Sequence, residues 1–130
     1  MIDPLIEAAA AAAANAHAPY SDFHVGAAVL TDADAVFPGC NVENSSFGLT
    51  ICAERAAVCA AITAGHTRIK AVAIVAPGGP APCGACRQVL AEFGPAMEVI
   101  LVDSIDTTRV RRTTLDKLLP EQFRLGERED

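Results

Sequence analysis

The sequence lacks a block of basic residues, an apolar run long enough to cross a membrane, an even set of cysteines, and any internal repeat or linker. Each absence closes off a class of function. Charged residues make up 20% of the chain and the net charge is −6, so electrostatic capture of a nucleic-acid backbone or an anionic membrane is not expected. A small ligand is the better partner. The N-terminus has no basic region ahead of a long apolar stretch. Asp3, Glu7, Asn15 and His17 interrupt its Ala-rich segment well short of the roughly 20 residues a span requires. The chain is therefore expected to be soluble and cytoplasmic, with no membrane partner. Five cysteines without a secretory leader argue against a disulfide framework, because the cytosol keeps thiols reduced. Clustered cysteines then point to metal binding or catalysis.

What is present fits one domain over residues 1–130, since 52% hydrophobic residues can fill one core and the length is too short for two ordinary ones. Asp3 and Pro4 read as a cap and first position of a helix over 4–15, which the alanines continue until Pro19. "VGAAVL" (25–30) and "AVFPGC" (35–40) flank the turn-forming "TDAD" and predict a hairpin, with Pro38 and Gly39 breaking its second strand near the end. Residues 41–50 are polar and small, as in a loop where ligand contacts collect. Helices follow at 52–64 and 83–93, and strands at 69–76 and 97–102. An edge strand at 107–112, its arginines facing solvent, and a short helix in "TLDKLL" complete the order. Strand–helix–strand alternation implies an α/β fold, a three-layer sandwich around a mixed five-stranded sheet.

In "PCGAC" (82–86) Cys83 and Cys86 lie three apart at a helix start, so both can face one ion. Cys52 opens the preceding helix, and the strand between the two helices makes them neighbours. Helix starts carry partial positive charge, which favours thiolates. Three protein ligands with one open position suit a catalytic zinc. Glu54, two residues past Cys52, adds a carboxylate able to take a proton from a water beside the ion. Three readings stay open on spacing alone. They are a zinc hydrolase, a closed structural zinc with Cys40 as fourth ligand, and a thiol–disulfide oxidoreductase of C-x-x-C type.

At "CNVEN", "CAER" and "PCGACRQVL" the sequence resembles the small homotetrameric cytidine deaminases, and the order and spacing match from "APYSDFHVGAAV" (18–29) to "LLPEQF" (118–123). The resemblance implies a cytidine deaminase-like fold and one Zn2+ per subunit on Cys52, Cys83 and Cys86. It implies Glu54 as the proton shuttle for attack at C4 of the pyrimidine. Cytidine and deoxycytidine would become uridine and deoxyuridine with release of ammonia, in pyrimidine salvage. By the same resemblance Asn41 and Glu43 bind the ribose, backbone groups around Ala53 read the polar edge of the base, and Phe23 lies beside it. Phe123 would reach a neighbouring subunit's site in a homotetramer, and Arg55 would hydrogen-bond ligand thiolates. Phe47 stands where many members carry Tyr, removing a hydroxyl at the subunit interface or sugar site, and the tail after Phe123 is short and charged. A deaminase of a related antibiotic nucleoside is the neighbouring alternative. His17, His24 and His66 fit no pattern with the cysteines and are expected in structural or surface roles. Cys40 and Cys59 are expected as small buried side chains, and "RVRR" (109–112) as a solvated edge.

Overall fold

The computed structural model describes residues 3–126. Asp3 caps α1 (Pro4–Ala13): its carboxylate accepts the Leu5 N–H at 2.9 Å, and Pro4 sits where no helical donor is needed. The helix ends two residues before the expected position 15. The N–H groups of Asn15 and Ala16 bond three residues back, to Ala12 and Ala13, and tighten the last turn ahead of Pro19. The alanine run brings α1 very close to the sheet, to the point that a methyl on Gly26 would overlap the Ala9 carbonyl oxygen.

The hairpin β1 (Gly26–Thr31) and β2 (Val36–Cys40) pairs through β1 with an antiparallel β3 (Ile69–Ala76). β4 (Glu98–Asp103) is parallel to β3, and β5 (Val110–Thr114) is antiparallel to β4, giving the order β2-β1-β3-β4-β5. β2, β3 and β4 consequently run the same way. Their connections carry α2 (Ala53–Thr63) and α3 (Gly84–Phe93), while the short α4 (Leu115–Leu118) follows β5. One core lies between the sheet and α2, α3 and α4, built on Val29, Val72, Leu90, Leu101 and Leu115. The other lies between the opposite sheet face and α1, built on Leu5, Ala9, Ala28, Ala73 and Ile100. The expected three-layer sandwich with a mixed five-stranded sheet is what forms. Each fully buried aliphatic side chain contributes about 1.5–3 kcal/mol by leaving water.

Three local expectations are corrected. Pro38 and Gly39 do not break β2, which runs on to Cys40. β2 is an edge strand, where a residue without an N–H is tolerated, and Gly39 lies against α2 so tightly that a methyl there would sit 2.8 Å from the Ala53 carbonyl oxygen. The last strand begins at Val110 instead of 107, because Asp106 accepts both the N–H and the hydroxyl of Thr108 and holds 106–109 as a turn. Cys40 is only half-buried and Cys59 is exposed, on the face of α2 opposite the buried Ala57, Val58 and Ala61. In β5 Arg111 is exposed, and Arg112 pairs with Asp3 and Glu98 at 3.5 and 3.2 Å. No helix among the described residues is long and apolar enough to cross a membrane.

Candidate metal centre

Because β2 and β3 run the same way, the helices that follow them start at the same edge of the sheet, beyond the carboxyl ends of the strands where α/β sheets take their ligands. Cys52 is the N-cap of α2 and Cys83 the N-cap of α3, with Cys86 in the first turn of α3. Neither N-cap side chain makes a capping hydrogen bond to its helix. The three sulfurs lie within 4.8 Å of one another, and among the described residues no other His, Cys, Asp or Glu joins this group. A tetrahedral zinc with Zn–S bonds of about 2.3 Å holds its sulfurs about 3.8 Å apart, so the trio fits this ion after small side-chain adjustments. Soft thiolate donors favour zinc over magnesium or calcium. Cys40 stands outside the cluster, so a closed site with Cys40 as fourth ligand does not form here.

The electrostatics of the cluster are uneven. Burial, then the Glu54 carboxylate, push the Cys86 thiol up. Burial raises Cys83 as well, but the N–H dipole of Cys86 and then its side chain, followed by the Ala85 N–H, leave Cys83 below the ordinary thiol range. Arg55 Nη2 donates to Cys52 Sγ at 3.5 Å, and this contact raises the arginine's own pKa. Its Nε is buried without a partner, an unused donor beside a site meant for anionic sulfur. Glu54 is 6% exposed at the start of α2, and burial raises its carboxyl above the usual value. A carboxylate so placed is ready to hold a proton and release it.

Cys52, Cys83 and Glu54 open on a cavity of about 230 Å³ that Phe23, Asn41 and Ala53 also line. Asn41 is buried, with its amide holding the segment before β1. Oδ1 accepts from Val25 N at 2.9 Å, and Nδ2 donates to the Phe23 carbonyl at 2.8 Å. One amide hydrogen and one lone pair remain for a ligand. Glu43 does not line this cavity. Its carboxylate accepts the N–H groups of Tyr20 and Ser21 and the Ser21 hydroxyl, and the Ser21 hydroxyl bond does most to keep its pKa low. Phe47 is 74% exposed with its ring edge on Tyr20, and Phe123 is 68% exposed, so neither reaches the cavity within one chain. The histidines stay out of the cluster: His17 is exposed, His24 contacts Asp22 at 3.1 Å, and His66 lies on the Phe37 ring.

Sequence reasoning did not anticipate the apolar wall of the cavity, formed by Ile51, Ile74, Ala81 and Pro82. Ile74 reads from sequence as ordinary buried strand, and no signal marks it as facing a ligand. The wall from 80 to 82 did have a signal, the prolines directly before Cys83.

Comparison with known proteins places these features in a wider group. The family model described as "Cytidine and deoxycytidylate deaminase zinc-binding region" matches residues 2–102. The chain is 49% identical over 118 residues to a cytidine deaminase of Mycobacterium tuberculosis, covering 89% of this chain and 84% of the relative. It is 41% identical over 124 residues to a cytidine deaminase of Sporosarcina psychrophila, covering 94% and 90%. Among solved structures, the cytidine deaminase from Burkholderia pseudomallei superposes with a TM-score of 0.86 at 51% identity, covering 92% of this chain and 96% of that one.

Proposed function

The chain belongs to the cytidine and deoxycytidylate deaminase family, and from that premise we propose that it deaminates free cytidine and deoxycytidine hydrolytically, releasing ammonia and leaving uridine and deoxyuridine. The observation that carries this reading is the meeting of three thiols, two of which, Cys52 and Cys83, line a single apolar cavity together with the buried carboxylate of Glu54.

Cys52, Cys83 and Cys86 would hold one zinc ion. When bound, the ion supplies the Lewis acidity that makes water a nucleophile near neutral pH. Glu54 takes a proton from the attacking water and delivers it to ring N3, then takes the second proton from the hydroxyl newly joined to C4 and passes it to the departing amino nitrogen, the division of labour general to zinc deaminases. Its burial supports this role, since a carboxyl with a raised pKa gives and takes protons closer to neutrality. Phe23 offers a flat apolar face to the base, and backbone groups around Ala53 meet its polar edge. Asn41 binds the sugar through its remaining hydrogen and lone pair, and Glu43, outside the cavity in the single chain, joins it once its carboxylate turns from Ser21 to a sugar hydroxyl. Arg55 offsets the charge of three thiolates on a dication, so that the site does not oppose ionisation of water.

The whole chain acts as one domain, with both cores built on a single sheet. It assembles as a homotetramer with sites shared between subunits. Two features support this. The cavity of about 230 Å³ is smaller than most ligand pockets, which span roughly 300–1,000 Å³. Phe47, Leu49 and Phe123 are also apolar and more than half exposed, ready to be covered by a neighbour in which Phe47 and Phe123 complete the site. The net charge of −6 favours free nucleosides over polynucleotides, and a cytoplasmic enzyme of pyrimidine salvage is the role this substrate suits.

Metal analysis combined with an ultraviolet assay of cytidine conversion tests the reading. The expected result is one zinc per subunit, with turnover that chelation abolishes and zinc restores. Zinc without deamination, or no zinc at all, defeats it. Parallel reactions with a cytosine-containing antibiotic nucleoside and with single-stranded DNA separate the neighbouring substrates, and both are expected to be poorer than cytidine. Light scattering on the eluted protein reads the assembly.

A further inference from the structure

The wall of the cavity just before Cys83 poses a mechanical problem. Residues 77, 80 and 82 are proline and lack an N–H, so backbone donors can do little to hold this stretch. The N–H groups of Gly78 and Gly79 are committed to Asp103 Oδ1 and the Ala76 carbonyl, at the far end of the loop. In the 80–82 stretch Ala81 alone carries an N–H, so carbonyls are the main groups by which it can be held. Arg87, one turn along α3, does this: its Nε donates to the Pro82 carbonyl at 2.8 Å. The same guanidinium donates through Nη1 to the Leu118 carbonyl at 2.7 Å. Leu118 closes α4, where helix carbonyls have no partner within the helix. Both bonds are short, as charge-assisted bonds are. The neighbouring Gln88 Nε2 reaches the Phe123 carbonyl at 3.3 Å, so two consecutive α3 side chains tie down the segment after β5.

We propose that Arg87 is a positioning residue for substrate binding, its planar fork fixing the Ala81–Pro82 wall of the cavity and the C-terminal segment in a single geometry. The inference rests on the cavity being the nucleoside site. Arg87 does not line the cavity, and it acts through Pro82, which does, and through the chain that leads to Phe123. A lysine at this position presents a single ammonium on a flexible stem, so it can serve one of the two carbonyls well but cannot reproduce the fork.

The test is steady-state kinetics on zinc-loaded Arg87→Gln and Arg87→Lys beside the wild type, with zinc content measured on each. KM for cytidine is expected to rise about tenfold in Arg87→Gln and about threefold in Arg87→Lys, with kcat within about twofold and zinc at the wild-type level. That split marks lost ground-state binding with the chemistry intact. A folded, zinc-replete variant with wild-type KM overturns the proposal, as does joint loss of zinc and kcat at unchanged KM, which would assign Arg87 to the support of Cys86. If Arg87→Gln does not fold, Arg87→Lys decides by the same criteria, and failure of both to fold assigns the residue to stability and also overturns the proposal. A wild type without cytidine turnover refutes the functional reading itself, a result distinct from any of these.

Discussion

Gly39→Ala tests whether the tight seam between β2 and α2 sets the geometry of the proposed active site. A methyl at this position would overlap the Ala57 amide nitrogen and lie 2.8 Å from the Ala53 carbonyl oxygen and 2.9 Å from Ala56 Cβ. None of these atoms belongs to a flexible side chain, so relief requires the helix to move by roughly 1 Å to regain the normal separation of about 3.5–4.0 Å. Overpacking of this kind costs about 1–3 kcal/mol, and contact on backbone places Gly39→Ala near the upper end. For a domain of this size that lowers Tm by about 10 °C. The movement also falls on Ala53, between Cys52 and Glu54, and misplacement on the order of 1 Å can slow an enzyme about 10²-fold. Gly48→Ala is the control, because nothing lies within 4 Å of its added methyl. The assay is thermal unfolding of the zinc-loaded protein together with kcat/KM on cytidine. Wild-type Tm and kcat/KM in Gly39→Ala, or an equal loss in Gly48→Ala, would refute the reasoning.

Glu54→Gln keeps the shape and removes the proton shuttle, so kcat should drop by about 10²–10⁴-fold while zinc stays bound; metal loss or retained turnover would contradict the role given to Glu54. Arg55→Gln removes the donor to Cys52 Sγ and should lower zinc affinity or activity by about 10–100-fold, read by competition with a chromophoric chelator. Asp103 is held below the ordinary aspartate value of 3.8, first by the Ile105 N–H and then by that of Gly78. A carboxyl with a depressed native pKa adds stability that is full above its unfolded value and lost as pH falls through the native one. Denaturant unfolding should accordingly show Asp103→Asn less stable than the wild type at pH 6, with the gap closing below 3.8. A gap independent of pH would show that the charge is not what matters.

The order of elements and the cysteine cluster were legible because both follow from local rules. Apolar β-branched runs end at Pro- or Asn-rich loops, and thiols at the starts of successive crossover helices meet when those helices share a sheet face. Pro38 was misread because its tolerance depends on β2 lying at the sheet edge, a property of strand order that no local pattern carries. The start of β5 was misplaced because the Asp106–Thr108 turn competes with a β-branched pair of threonines, and side-chain bonding to the backbone wins. Within the site, Asn41 and Glu43 were legible as polar loop residues. Their use in pinning Phe23, Val25, Tyr20 and Ser21 was not, since it joins positions about twenty residues apart.

The two borders of the sheet also limit how molecules of this protein can meet. Along β2, Pro38 interrupts the row of donors that an incoming strand would need, and along β5 the exposed Arg111 would meet its own charge in a second copy. Strand-by-strand addition, the route to open-ended fibres, is thus blocked on both sides. An assembly of this chain would then use its loops and helical surfaces, where contacts between identical patches close on themselves.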